Sequence, residues 1–200
     1  MTVRRTPSPR LALVAFVAGL ALAGCGSSSG ASAAPGTTGT AAQLVQAGLA
    51  ATTSGNDDAA VAAFRGSVTK DAGNLLAHYN LGVIYQKRGL ASAALSEYAA
   101  ALATNPKYVP ALYNSATLLA VTNPALAAVT YQQVLALQPK NAAANLNLGL
   151  LEVQLKQPDA ARQHLATAVA LDPKLLPRVP AAYRPKGTEA TPPAAAPSPK

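Results

Sequence analysis

Of 200 residues, one is cysteine, two are histidine, eight carry a carboxylate side chain, and tryptophan is absent. A lone cysteine excludes a disulfide framework and a cysteine metal cage, because both need a second thiol. No HExxH, no GxSxG, no glycine-rich phosphate loop after a strand and no paired cysteine occurs. The spacings that bring nucleophile, base or metal together are therefore missing, and catalysis is not expected. The net charge is +8. Its cations are scattered along the chain, with no basic stripe and none interleaved with aromatics, which argues against nucleic acid as a partner.

What the chain has is alanine, 47 residues of it, in a sequence that is half hydrophobic. That is enough apolar material for a core and excludes wholesale disorder. Alanine is the best helix former and a poor strand residue, so the composition favours tightly packed helices over a sandwich or barrel.

The first residues are a targeting segment. Arg4, Arg5 and Arg10 precede the apolar run "LALVAFVAGLALA" at 11 to 23, which is short for a bilayer span and ends in "LAGC". This ending resembles the lipobox of bacterial lipoproteins, where a signal peptidase cleaves before the cysteine. The resemblance implies that residues 1–24 are removed and that Cys25 becomes a lipidated N-terminus on the extracytoplasmic face of the cell membrane. An ordinary secretory signal that happens to hold a cysteine is the alternative. Arg4-Arg5 is also compatible with twin-arginine export, although "RRTPSP" lacks an apolar residue just after the pair. Without the three leader arginines, 13 basic residues face 8 acidic ones, a surplus of +5. A mild attraction to anionic head groups and a merely solvated surface account for it equally well.

Residues 25–40 are Gly/Ser/Thr-rich and read as a flexible tether, and residues 184–200 form a proline-rich tail expected to be disordered. Between them lies a repeat. Gly48, Gly82, Ala116 and Gly149 stand 34, 34 and 33 residues apart, followed by a second small column at Ala60, Ala94, Ala127 and Ala161. A large apolar column comes four residues later, at Phe64, Tyr98, Tyr131 and Leu165, and prolines recur at 106, 139 and 173. With so much alanine, the glycine, aromatic and proline columns carry the pattern.

This pattern resembles the tetratricopeptide repeat (TPR). The resemblance implies an all-α, right-handed solenoid of about four antiparallel helix pairs, with units at 41–74, 75–108, 109–141 and 142–174 and a possible capping segment at 175–183. The small residues would let neighbouring helices approach closely, which explains a glycine in mid-helix at Gly82 despite its cost of about 1 kcal/mol. Gly55 and Gly89 fall where first helices should end, suiting left-handed caps. Pro124 and Pro158 suit the first turn of second helices. No unit has the family's Trp at its fourth position, and Ala72 replaces proline at the end of unit one.

His78 and His164 fall in different units and are not expected to converge. His78 reads as a half-buried packing residue and His164 as a surface residue. Asp57 and Asp58 read as first-turn charges favouring a helix dipole. In the family, first helices line a groove. Carried onto this chain, the fifth and sixth unit positions place Tyr79 and Asn80, Tyr113 and Asn114, and Leu146 and Asn147 in that groove, as a line of side-chain amides about one unit apart flanked by Tyr79 and Tyr113. The basic clamp that some members use for a C-terminal carboxylate is absent, since Leu76, Pro110 and Ala143 stand at the second position. The expected function is a membrane-anchored, non-catalytic scaffold for another protein or peptide segment, without cofactor or metal. The alternative is an assembly or chaperone-like factor for an envelope, pilus or secretion complex.

Overall fold

The structure, a computed structural model, describes residues 38–187. The leader, Cys25, most of the tether and most of the tail lie outside the described residues.

Asparagine and threonine start most of the helices. At the head of α1 (Ala41–Thr53) the Gln43 amide donates to Thr40 Oγ1 at 3.3 Å, and the Thr40 amide donates to Gln43 Oε1 at 2.9 Å. This reciprocal box satisfies two amides that a helix start leaves unpaired. Asn56, Asn74, Asn123 and Asn141 cap α2 (Asp57–Lys70), α3 (Leu75–Lys87), α6 (Pro124–Leu137) and α7 (Ala142–Gln154), each accepting from the amide three residues on. The remaining helices, α4 (Ala91–Thr104), α5 (Val109–Thr122) and α8 (Pro158–Leu171), have no side-chain cap. Pro110 and Pro158 stand instead in the first turns of α5 and α8, where a missing N–H costs nothing.

Helix ends follow from local chemistry too. Gly55 and Gly89 take φ of +76° and +73°, the left-handed conformation expected of them. The matching position after α7 is Lys156, which adopts φ +57° with a side chain in place. In the third pair Asn123 both ends α5 and caps α6. Its turn is one residue shorter, which is why the period there is 33.

The helices pack as antiparallel pairs, α1–α2, α3–α4, α5–α6 and α7–α8, stacked in series into an all-α solenoid with no strand among the described residues. Each pair closes on its small residues. Ala60, Ala94, Ala127 and Ala161 are all fully buried, as are Phe64, Tyr98, Tyr131 and Leu165. Burying each of those large side chains stabilises by roughly 1.5–3 kcal/mol. The gap left by the mid-helix glycines is filled by a side chain rather than by a backbone. A β-carbon at Gly48 would stand 2.5 Å from the Phe64 ring, and one at Gly82 would stand 2.5 Å from the Tyr98 ring. At Gly149 the three nearest atoms include backbone, with Leu165 N at 3.1 Å from that position.

Beyond α8 the chain makes two 3-10 turns, Pro173–Arg178 and Ala181–Tyr183, with Pro177 inside the first and Pro180 between them. Val179 is buried in one cluster with Leu146, Leu165 and Val169, and Leu175, Leu176 and Tyr183 pack against that cluster. The apolar end of the last pair is thereby covered.

Candidate functional site

Tyr79, Tyr113, Asn114 and Asn147 do come together, but in bonds that tie one helix pair to the next. Asn114 on α5 donates from Nδ2 to the hydroxyls of Tyr98 at 3.2 Å and Tyr79 at 3.5 Å. One pair further on, Asn147 on α7 donates to Tyr113 at 2.9 Å and Tyr131 at 3.0 Å. The first tyrosine of each triad sits on the preceding pair's first helix and the second on its second helix. Each asparagine therefore clamps both helices of the pair before it. The two amides are thus engaged as struts between pairs, while Asn114 with Tyr79 and Tyr113 still lines a groove across α3, α5 and α7.

Asn80 departs from this rule for a clear reason. The matching positions in the first pair are Val45 and Phe64, which have no hydroxyl. Its amide turns back to the Leu76 carbonyl of its own helix, at 2.7 Å. Leu146 is a correction. It is fully buried with Ala161, Leu165 and Val179, because the capping segment closes over the place where a groove residue would stand.

Burial sets the tyrosine chemistry. Tyr98 has its pKa pushed up to about 12, chiefly by desolvation; the Asn114 bond opposes this and Tyr79 adds to it. Tyr131 is shifted upward as well, again by burial, against the bonds from Thr117 and Asn147. Tyr108 rises too, through burial and the nearby Tyr79, whose ring it meets edge-on at 5.2 Å. These phenols are neutral donors and acceptors at ordinary pH.

A groove of about 480 Å³ runs across α3, α5 and α7, lined by Tyr79, Val109, Pro110, Tyr113, Asn114, Gln138, Asn141 and Ala143. Its lining is uncharged and mixes aromatic bodies with amide and hydroxyl tips. Gln138 and Asn141 come from the loop between α6 and α7. A search confined to helix positions five and six passes over that loop. A signal was present, since Asn141 is also the α7 cap and Gln138 is the helix-ending residue before Pro139.

The histidines stay apart, each bonded to a glutamate of its own. His78 Nδ1 lies 2.7 Å from Glu97 Oε2, and its Nε2 lies 3.0 Å from the Ala72 carbonyl. It is buried rather than half-buried, and it ties α3 to both α4 and the preceding loop. His164 is half-buried rather than a surface residue, with Nδ1 2.8 Å from Glu152 Oε2, a carboxylate that is itself buried. Sequence reading missed that bond, since the two residues lie twelve apart on facing helices. Asp57 and Asp58 stand in the first turn of α2, as expected, and pair with Lys87 and Arg88. Among the described residues no group of three or more His, Cys, Asp or Glu is placed to hold a metal ion.

A family model described as tetratricopeptide repeat matches residues 45–110 and 115–175. The chain belongs to the tetratricopeptide repeat family. No curated protein matches the sequence. Among solved structures, the TPR array resembles the MamA 41-end structure from Desulfovibrio magneticus RS-1, with 21% identity, a TM-score of 0.63, and coverage of 67% of this chain and 76% of that one. It also resembles YrrB, described as a TPR protein with an unusual peptide-binding site, at 19% identity and a TM-score of 0.63, covering 66% and 69% of the two chains. A third likeness is to PilW, described as a widely conserved type IV pilus biogenesis factor, at 23% identity and a TM-score of 0.59, covering 68% and 64%. At these identities the likeness establishes the fold. TPR arrays are protein-interaction modules, and that coarse role follows from membership.

Proposed function

We propose that the protein is a lipid-anchored, non-catalytic adaptor that holds an extended, largely uncharged segment of another envelope protein at the extracytoplasmic face of the cell membrane. The observation that carries the reading is the uncharged groove over α3, α5 and α7. Asn141 Oδ1 caps α7 and Asn141 Nδ2 donates to Gln138 Oε1, so it is Gln138 Nε2 that can donate to a carbonyl of an extended backbone, beside tyrosines that offer an apolar body with a polar tip. The absence of a basic clamp at Leu76, Pro110 and Ala143 disfavours a strongly acidic tail. The anchoring part of the reading rests on "LAGC" at residues 22–25. No cofactor, metal or nucleic acid enters it.

The test has two arms. For the groove, Ala143→Arg places bulk and charge in its wall without touching the Tyr–Asn bonds. Detergent extraction and pull-down of the full chain should recover a stoichiometric partner, which this variant loses; a partner retained by Ala143→Arg moves the site elsewhere. For the anchor, Cys25→Ser should leave unprocessed precursor or release protein into the medium. A variant still processed and membrane-bound overturns lipidation.

The alternative is an assembly factor for a pilus or secretion complex, favoured by the fold shared with PilW. Such a factor would hold its client only during assembly, so the same pull-down would recover no stoichiometric partner at steady state.

A further inference from the structure

The loops that join one helix pair to the next run along one edge of the array, and they gather cations that the sequence scatters. Lys107 and Lys140 each follow a proline in the loops after α4 and α6, Lys174 follows Pro173 in the turn after α8, the three stand 33 and 34 residues apart, and all are exposed. None makes an ion pair among the described residues. Lys70, at the end of α2, adds a fourth cation to the preceding loop. Bonds between neighbouring pieces hold these loops in a row: Thr104 Oγ1 donates to Gly73 O at 3.1 Å, and Asn145 Nδ2 donates to Pro139 O at 3.3 Å.

Two carboxylates share this edge, both engaged in closing the loops. Asp71 accepts from the Gly73 amide and from Asn74 Nδ2, and Asp172 accepts from the Lys174 amide. The edge keeps a surplus of two positive charges. The opposite edge, where helices turn back within a pair, is arranged differently. There Lys87 meets Asp57 at 2.8 Å, Arg88 meets Asp58 at 2.7 Å, and Arg162 lies 3.9 Å from Asp159, which leaves Lys156 as its unpaired cation.

The direction from which the chain arrives selects between the edges. Ser67 Oγ donates to the Ala41 carbonyl at 3.0 Å, so the first turn of α1 lies beside the last turn of α2. Thr40, and with it the connection to residues 25–39, therefore meets the array on the lysine edge. Leu76, Leu137 and Leu171 are exposed at helix ends along that edge as well. The opposite edge also exposes Leu90 and Val121, but its cations are mostly neutralised.

We infer that the lysine edge rests on the anionic, phosphate-bearing head groups of a lipid bilayer, so that the array docks edge-on at the end of its tether. The inference rests on the anchored reading above for its setting, but the contact itself is a property of the folded part. Each lysine near an anionic surface contributes about a fivefold gain in association, falling off within a Debye length and therefore lost in high salt. The surplus is too small for tight binding by itself. With a lipid already holding the chain at the surface, it is enough to choose which edge faces inward.

The test uses the chain from residue 25 to 200 with Cys25→Ser, which carries no acyl group, and vesicles of phosphatidylcholine alone or mixed with phosphatidylglycerol. At high lipid concentration, where weak association is still read, co-sedimentation should occur with the mixed vesicles, be absent with phosphatidylcholine alone, and disappear in high salt. The triple variant K107Q/K140Q/K174Q should bind on the order of 100-fold more weakly. The triple K87Q/R88Q/K156Q removes the same charge from the other edge and should bind nearly as the parent does. No binding to mixed vesicles, or equal loss in both triples, overturns the proposal. All six side chains are on the surface, and matching helical circular dichroism verifies the fold of each variant. Because no lipid is attached, failure here leaves anchoring through Cys25 standing, and failure of anchoring in cells leaves this result standing.

Discussion

The ring of Tyr98 lies over Gly82 so closely that a β-carbon there would stand 2.5 Å from Tyr98 Cε1. One glycine thus determines where the largest buried side chain of the second pair sits, and through it where the hydroxyl that receives Asn114 is held.

Gly82→Ala should therefore destabilise by about 1–3 kcal/mol through overpacking. Gly73→Ala, where the nearest atoms would be 3.7 Å away, should be nearly neutral. Urea midpoints that coincide for the two variants would sink this packing account.

The Asn struts predict an asymmetry between equivalent positions. Asn147→Ala removes two bonds between pairs and should cost about 1–3 kcal/mol. Asn80→Ala removes only a bond to its own helix and should cost less than about 0.5 kcal/mol. Phe64→Tyr should give Asn80 the hydroxyl it lacks and stabilise by about 1 kcal/mol. In the double variant with Asn80→Ala that gain should vanish, a cycle read by denaturation.

Lys156 holds a left-handed backbone that costs a non-glycine residue roughly 1–2 kcal/mol. Lys156→Gly should stabilise by about 0.5–1 kcal/mol once the entropy of the freer chain is subtracted. A lower thermal midpoint in this variant would contradict the prediction.

Alkaline pH should weaken the fold. Tyr98 is an acid whose folded pKa is raised to about 12 from the ordinary 10. The neutral form is thus favoured by folding, so its contribution is fully present below pH 10 and is lost as pH rises through 12. The loss amounts to on the order of 2–3 kcal/mol. Tyr98→Phe should flatten that part of the stability profile measured between pH 9 and 12. An unchanged slope would assign the alkaline loss to other groups.

The architecture was legible because it rests on scarce residues at fixed spacing. Glycine, aromatic and proline columns one unit apart fix helix pairs whatever surrounds them. The groove was less legible, for physical reasons. Asn114 and Asn147 stand at family groove positions, but whether an amide faces a ligand or a tyrosine depends on side chains 16 to 35 residues away. Those partners were visible as a Tyr–Tyr–Asn spacing, 79, 98, 114 and 113, 131, 147, which only a pairwise reading would use. Leu146 fell outside any such reading, because the cap that buries it comes from beyond the last repeat. The edge of lysines was hidden because residues 33 and 34 apart become neighbours only once the pairs are stacked.

The strut system begins with the second pair, since Val45 and Phe64 offer Asn80 nothing to hold. The polar ties that span from α2 to the second pair are Arg65 to the Tyr85 hydroxyl and the pairs of Asp57 with Lys87 and Asp58 with Arg88. In a linear array each pair is held only by its neighbours. If the chain is anchored through the residues before Thr40, as proposed, a mechanical load would enter at this junction. Its exposed ion pairs weaken in high salt, and the tyrosine–asparagine struts of the later junctions do not.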